Sequence, residues 1–395
     1  MLRSAATSAG SAQPEVGRTL DGRITALDGF RGLLTLMVVF SHYFGELPNG
    51  LRGMMFGWVA VIGFYVLSGF LIGRLILEKQ VHQNFMAVFY VRRFCRMMPA
   101  CFVVLIAIFA IYAAIGHHEW TNIGEAFPFW TYATFTQNFY MIHAGHIGPH
   151  WLAPTWTLAI EEHFYLIAPT AILLTPRRYL LPGLIALAVV SLGFRILVFH
   201  FELWSPLTGR VLLLSVADTL IAGLIAAALI KTDGIGWERY DVALRVTPLV
   251  ALLAAGLCQA AGGAAWFATF GTTFLAIGMA AFILGLVRGV PEARRFESPV
   301  LSFFGHMSYC IYLTHLAVLG LMHGVLLGAR PDLASWEQFG VSLLTLPVAV
   351  GVAWVLYKIA EEPGLNYGRR WTWSKALRQP KAGRVSTPAT SGTAA

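Results

Sequence analysis

The chain has 395 residues, of which 57% are hydrophobic and 12% are charged. Soluble domains carry roughly 25% charged residues, so this composition excludes an ordinary cytosolic enzyme and a disordered scaffold. The formal net charge is +8, which in so apolar a chain indicates membrane topology rather than nucleic-acid binding.

Ten apolar segments are long enough to cross a bilayer, which takes about 17–25 residues. Charged residues and turn signals separate them, and the ninth is long and polar enough to tilt or break. We therefore predict an all-α, polytopic membrane protein with about ten transmembrane helices. The predicted spans lie near 31–47, 56–77, 98–115, 155–175, 179–199, 211–230, 246–262, 267–288, 302–327 and 340–359.

The membrane domain is predicted to cover 24–365, between two polar tails. Residues 1–23 are predicted as a disordered tail and 366–395 as a basic, mostly disordered tail, since both are rich in Ser, Thr, Ala, Gly and Pro. With the N-terminus in the cytoplasm, 24 of the 28 Lys and Arg residues fall on the cytoplasmic side. The positive-inside rule demands such a bias. We therefore predict cytoplasmic termini and a multi-pass protein of the cell (inner or plasma) membrane.

The first span carries two ionisable residues, Arg31 and His42. Ionisable groups inside a membrane cost roughly 3 kcal/mol or more unless paired or hydrated, so each is a functional candidate. Eleven residues are nearly three helical turns and about 16 Å, which places both side chains on one face. Arg31 is expected at the cytoplasmic edge and His42 deeper towards the outer side. A hydrogen bond from His42 to a neighbouring helix is the structural alternative.

A basic cluster precedes the third span. Arg93 and Arg96 are spaced to share a helical face, and Arg92 adjoins them. Positive-inside anchoring explains such a cluster. A phosphate site also explains it, because the guanidinium fork matches phosphate oxygens. Both interpretations stay open at this point.

The segment 116–154 contains nine aromatic residues and no Lys or Arg. Such a composition is typical of an aromatic belt at the outer membrane interface. It is also compatible with a platform for sugar rings, because aromatic faces offer apolar area. His143, His146 and His150 have only a weak metal-ligand spacing, and no metal site is predicted.

The fourth span is predicted to begin at Pro154 and to carry Glu161 and Glu162 about two turns in. Adjacent residues on a helix point apart, so at most one carboxylate approaches His42. There it would orient the imidazole and set its tautomer. The alternative is a buried pair with Arg195, for which Asp218 is the better structural partner.

In order along the chain, several motifs resemble the acyltransferase-3 family of integral membrane O-acyltransferases over about residues 24–365. Each motif is weak alone, whereas the ordered set is specific. The chain departs from the family pattern at Thr157, His163 and Glu362. The motifs are LDGFRG with Arg31-x10-His42, FYVLSGFLI at 64–72, the RxxR of Arg93 and Arg96, Trp156-Thr-Leu-x-x-Glu161-x-x-Phe-Tyr, Gly305-x-x-Ser308-Tyr309-x-x-Tyr312-Leu-x-His315 and Glu361-x-Pro363.

The resemblance implies roles for individual residues. His42 is the implied catalytic histidine and Glu161 its acidic partner. Ser68 and Gly69 are expected to pack between helices. The implied donor-binding arginines are Arg31, Arg93 and Arg96, and Arg92 is added to them because it adjoins the cluster. The candidate substrate-binding residues are Trp156, Glu162, His163, Tyr309 and His315, of which the last two could equally form hydrogen bonds between helices.

The resemblance also implies a reaction. The donor would be acyl-CoA, usually acetyl-CoA, bound from the cytoplasm, with no metal. The acceptor would be a hydroxyl of a carbohydrate or lipid-linked glycan at the outer side, as in modification of cell-envelope polysaccharides. His42 would act as a general base or carry the acyl group briefly.

A transporter or flippase of a glycolipid is the alternative. It is disfavoured because no internal repeat is visible and because the arginine cluster lies at one face only. The identity of the acceptor and the oligomeric state stay open.

Overall fold

The computed structural model describes residues 24–116, 118–121, 125–232 and 235–375. Within these ranges there are fifteen α-helices and no β-strand, which confirms the all-α prediction. Residues 1–23 and most of 366–395, predicted as tails, lie outside the described residues. The α-helices are α1 Thr25–Phe40, α2 Gly57–Lys79, α3 Phe85–Ile115, α4 Phe129–Ala133, α5 Gln137–Ala144, α6 Thr155–Leu174, α7 Arg177–His200, α8 Thr208–Val211, α9 Leu213–Ile230, α10 Asp241–Trp266, α11 Thr272–Arg288, α12 Pro299–His306, α13 Ser308–Leu327, α14 Trp336–Leu356 and α15 Glu362–Arg369.

Eight helical stretches in the described part of the chain are long and apolar enough to span a bilayer. One of them, Trp237–Arg288, has 52 residues and contains both predicted spans 246–262 and 267–288. Helix α1 has 16 residues and continues into a π-helical turn, Ser41–Gly45. The chain is a multi-pass membrane protein, while the count of ten spans and the side of the termini stay predictions.

The ninth predicted span breaks, as its length and polarity suggested. Helix α12 ends at His306, and α13 begins at Ser308 after a non-helical Met307. Gly305 lies so close to α1 that a Cβ there would overlap the carbonyl oxygen of Asp28. The break therefore lets a short helix pack tightly against the first helix while α13 takes a separate course.

Helix α3 begins at Phe85, well before the predicted span at 98–115. Arginine is a good helix former, so the helix runs through the basic cluster instead of starting after it. This extension holds Arg92, Arg93 and Arg96 in one continuous helix, which fixes their positions relative to one another.

Small residues allow close helix crossings. A Cβ on Gly69 of α2 would overlap the Leu220 carbonyl oxygen of α9, and one on Gly223 would overlap that of Val66. This confirms the packing role predicted for Gly69, in line with the small residues found at membrane helix interfaces.

A buried ion pair joins α7 to α9. Arg195 donates to both carboxylate oxygens of Asp218, at 2.8 and 2.6 Å, and is 1% exposed. Thr273 of α11 adds a hydrogen bond to Asp218, at 2.8 Å. The predicted pairing of Arg195 with Asp218 is confirmed.

Candidate active site

One cavity of about 370 Å³ collects three of the predicted arginines. Arg31 enters it from α1, and Arg93 and Arg96 enter from adjacent turns of α3. We call it the arginine cavity. Its other polar lining residues are Ser68, Thr157, Glu161, Tyr165, Ser308, Tyr309 and Tyr312, together with Tyr65.

The arginine cavity is electropositive, since three guanidinium groups line it beside one carboxylate. The Arg93 guanidinium lies over the Tyr165 ring, 5.0 Å from its centroid, and Arg31 Nη1 lies 4.0 Å from Asp28 Oδ1. These contacts hold the cations without neutralising all of them. Such an array suits an anion with several oxygens, phosphate above all.

Arg92 lies outside this cavity. Its Nε and Nη2 donate to the carbonyl oxygen of Trp371, at 2.9 and 2.7 Å, and its guanidinium lies 5.0 Å from the Trp373 ring centroid. His82 also contacts this segment, through a 2.5 Å hydrogen bond between Nδ1 and the Ser374 carbonyl. Arg92 therefore holds the chain that follows α15 rather than sharing a site with Arg93 and Arg96.

Glu161 lies in the arginine cavity, beside Arg31, Arg93 and Tyr165. The hydroxyl of Tyr165 is hydrogen-bonded to Ser68, which also lines the cavity. The predicted packing role of Ser68 is thus incomplete, because its hydroxyl contributes to a polar wall. Glu161 shares this cavity with the arginines and does not line the cavity around His42.

A second cavity, of about 260 Å³, surrounds His42. We call it the histidine cavity. Trp58 and Trp156 line it with ring centroids 5.7 Å apart, and the Arg210 guanidinium lies 5.8 Å from the Trp58 ring. An aromatic pair with a nearby cation offers apolar area and a charged hydrogen-bond donor to a polyhydroxylated molecule.

His42 lies in the π-helical turn that ends α1, and π turns often occur at functional sites. Its Nε2 lies 3.5 Å from Glu46 Oε2, and its Nδ1 lies 2.9 Å from His315 Nε2. Glu46 is itself held by Ser41, whose hydroxyl donates to Glu46 Oε1 at 2.7 Å. The carboxylate near the imidazole is therefore Glu46, whereas Glu161 was predicted there.

The two cavities share a wall. Val61 and Tyr312 line both of them. The hydroxyl of Tyr312 forms a 2.7 Å hydrogen bond with Thr157, a residue of the arginine cavity. The three arginines and the imidazole of His42 thus line neighbouring cavities that share one tyrosine and one valine side chain.

The predicted substrate-binding residues separate into three groups. Trp156 lines the histidine cavity, and Tyr309 lines the arginine cavity while donating to the Met97 carbonyl at 2.7 Å. Glu162 and His163 line neither cavity, and the His163 ring contacts Phe139. His315 lies behind His42, fully buried.

In the aromatic segment, the described residues 125–154 form the short helices α4 and α5 and connecting loops. His150 lines the histidine cavity, whereas His146 stacks on Phe127 with centroids 5.1 Å apart. No group of three His, Cys, Asp or Glu side chains able to hold a metal occurs among the described residues.

Sequence reasoning missed Glu46, Trp58, Arg210 and the wall residue Tyr312. Glu46 follows His42 by four residues, a spacing that brings side chains together on a helix, so a signal was present. Trp58 and Arg210 come from α2 and α8, and only tertiary packing unites them.

Comparison with known proteins gives a consistent result. A family profile described as an acyltransferase domain matches residues 24–358. The peptidoglycan O-acetyltransferase OatA of Listeria monocytogenes is 26% identical over 365 residues, which is 86% of this chain and 55% of that protein. The O-acetyltransferase OatA of Staphylococcus aureus strain NCTC 8325 is 26% identical over 189 residues, 45% of this chain and 30% of that protein. The chain spans about half the length of the first of these relatives, and no solved structure matches it.

Proposed function

The chain belongs to the acyltransferase-3 family, and on that premise we propose that it moves an acetyl group from acetyl-CoA to a hydroxyl of a carbohydrate. The donor binds from the cytoplasm with its phosphates on Arg31, Arg93 and Arg96. The acceptor, a cell-envelope polysaccharide or a lipid-linked glycan, binds in the histidine cavity at the outer side of the plasma membrane.

One observation carries this proposal: a cationic cavity and a histidine cavity share Val61 and Tyr312 as a wall. The proposed donor is long and narrow, with an anionic head and a reactive thioester end. It requires a cationic cavity for the head beside a second cavity that contains the reacting imidazole. The thioester would reach His42 past this wall, while the phosphates stay on the arginines.

In the proposed reaction, the acceptor oxygen bonds to the acetyl carbonyl carbon as the carbon–sulfur bond breaks. His42 Nε2 takes the hydroxyl proton and then returns it to the departing CoA sulfur. Glu46, 3.5 Å from Nε2, stabilises the imidazolium formed in between. General-base help of this kind contributes typically about 10²–10⁴-fold. A short-lived acyl-histidine would use the same Nε2 lone pair.

The acceptor class is supported by Trp58, Trp156 and Arg210. Two neighbouring indoles, tilted 39° to each other, offer apolar area to the face of a sugar ring, and the relatives are named as O-acetyltransferases, one of peptidoglycan. Arg210 favours acceptors that carry an acidic group near the sugar.

The test is an assay of the purified protein with acetyl-CoA and a panel of glycans. We expect free CoA thiol to appear only with a competent acceptor, and the acceptor to gain one acetyl mass. A protein that moves glycans without releasing thiol would be a carrier, and that result would contradict the proposal.

A further inference from the structure

We propose that His315 is a positioning residue that fixes the tautomer and orientation of His42. This inference rests on the proposed function, because it concerns how the imidazole of His42 is made ready for acyl transfer. It gives His315 a place behind the reacting group rather than in contact with substrate.

The surroundings of His315 determine which of its two ring nitrogens carries the hydrogen. Its Nδ1 lies 2.9 Å from the Tyr312 carbonyl oxygen and 3.2 Å from that of Ile311. Carbonyl oxygens only accept hydrogen bonds, so Nδ1 carries the hydrogen. The neutral ring then has its lone pair on Nε2.

His42 must donate a hydrogen bond to that lone pair. Its Nδ1 lies 2.9 Å from His315 Nε2, and one of the two nitrogens has to donate. Since His315 Nε2 accepts, His42 Nδ1 carries the hydrogen. The lone pair of His42 is then on Nε2, the nitrogen beside Glu46. That tautomer is the one a general base or an acyl carrier needs.

The His315 ring is also held rigidly. The hydroxyl of Tyr43, the residue after His42, donates to the His315 carbonyl at 2.8 Å. The ring stacks against His42 and Tyr43, with centroids 5.0 and 6.4 Å away, and is 0% exposed. Because it lines neither cavity, His315 acts on substrate only through His42. In hydrolytic triads a buried carboxylate has this orienting role.

The first test compares His315→Leu with His315→Gln. A glutamine amide keeps one acceptor and one donor, whereas leucine keeps neither. We expect His315→Leu to lower kcat by about 100-fold or more, the lower end of general-base effects. KM for acetyl-CoA and for acceptor should stay unchanged. His315→Gln should recover much of the lost kcat.

His323→Leu is the matched control. It removes another buried histidine of α13, which contacts Ser342 at 3.0 Å and lines neither cavity, and it should leave kcat unchanged. The inference would be overturned if His315→Leu kept the wild-type kcat, or if it raised the acceptor KM instead of lowering kcat. An equal loss in His315→Leu and His315→Gln would overturn it too.

The second test reads the tautomer of His42 in the wild-type protein. Nitrogen-15 NMR of histidine-labelled wild-type protein, with His42 assigned through His42→Ala, reports which ring nitrogen is protonated. We expect an unprotonated Nε2 and a protonated Nδ1 on His42. The opposite tautomer would overturn the inference even if the enzyme transfers acetyl groups. An absence of thiol release from the wild type would instead defeat the proposed function itself.

Discussion

His42 lies between two polar partners, His315 behind it and Glu46 in front. The sequence singled out Arg31 and His42 as ionisable residues in an apolar span, and Arg93 and Arg96 as a basic cluster, and the structure places the three arginines in one cavity and His42 in the next. It predicted Glu161 beside His42, whereas the structure places Glu46 there and Glu161 among the arginines, because a helix pattern does not show which neighbours α6 faces. The π turn at the end of α1 was equally hidden, because no local pattern specifies it.

The two carboxylates should differ in their kinetic effects. Glu46→Gln keeps the side-chain shape but removes the charge beside His42 Nε2. We expect kcat to fall about tenfold or more, since hydrogen bonds to charged groups are worth ~1.5–3 kcal/mol. Glu161→Gln should mainly change the KM for acetyl-CoA, and steady-state kinetics of both variants checks this. A larger loss of kcat in Glu161→Gln would return the partner role to Glu161.

The arginines of the arginine cavity should act on donor binding. We expect Arg93→Ala combined with Arg96→Ala to raise the KM for acetyl-CoA about tenfold or more, by loss of charge-assisted hydrogen bonds. Arg74→Ala is the matched control, since Arg74 pairs with Glu78 on α2 and lies outside both cavities. Titration of acetyl-CoA in each variant measures the effect. An unchanged donor KM in the double variant would contradict phosphate docking there.

The paired indoles should act on the acceptor. Trp58→Ala and Trp156→Ala are each expected to raise the acceptor KM by about fivefold, given ~0.5–1.5 kcal/mol for an aromatic contact. The KM for acetyl-CoA should not change. Trp336→Ala, which removes an exposed indole of α14, is the control in the same acceptor titration. Equal effects in all three variants would show that the cavity does not select the acceptor.

Helices were easier to predict than their boundaries. Apolar runs located α2, α6, α7 and α9 within a few residues, because lipid requires every backbone group to be bonded within a helix. The early start of α3 was missed, since polar turns beyond the bilayer carry no hydropathy signal. The opposite charges of Arg195 and Asp218 also predicted the ion pair between α7 and α9, because each residue had few other partners of opposite charge in the predicted spans.

The buried ion pair between Arg195 and Asp218 leads to a prediction for the stability of the folded protein. Asp218→Ala leaves the Arg195 guanidinium buried without its carboxylate, and such a loss costs about 3–5 kcal/mol. We expect a marked drop in the unfolding temperature of the detergent-solubilised protein. Arg195→Met combined with Asp218→Leu should recover most of it, because apolar replacement of both partners is often neutral. A double variant as unstable as Asp218→Ala would contradict this account.

At the scale of the whole molecule, two cavities with different lining lie next to each other in the helical bundle. Arginines from α1 and α3 line one cavity, while the π turn after α1 and helices α2, α6 and α8 supply residues to the other, and Tyr312 of α13 lines both. Neither cavity can be assembled from one segment of sequence. The proposed passage of an acetyl group from one side of the membrane to the other is a property of this arrangement.

Transfer across a sealed membrane tests that claim most directly. The protein is reconstituted in vesicles, with labelled acetyl-CoA outside and glycan acceptor trapped inside, and vesicles in which the arginine end faces outward are counted. The account predicts labelled acetyl groups on the enclosed glycan with the wild type. His42→Ala should bind acetyl-CoA yet leave the glycan unlabelled. Labelling only of glycan placed on the same side as acetyl-CoA, or equal labelling by His42→Ala, would contradict it.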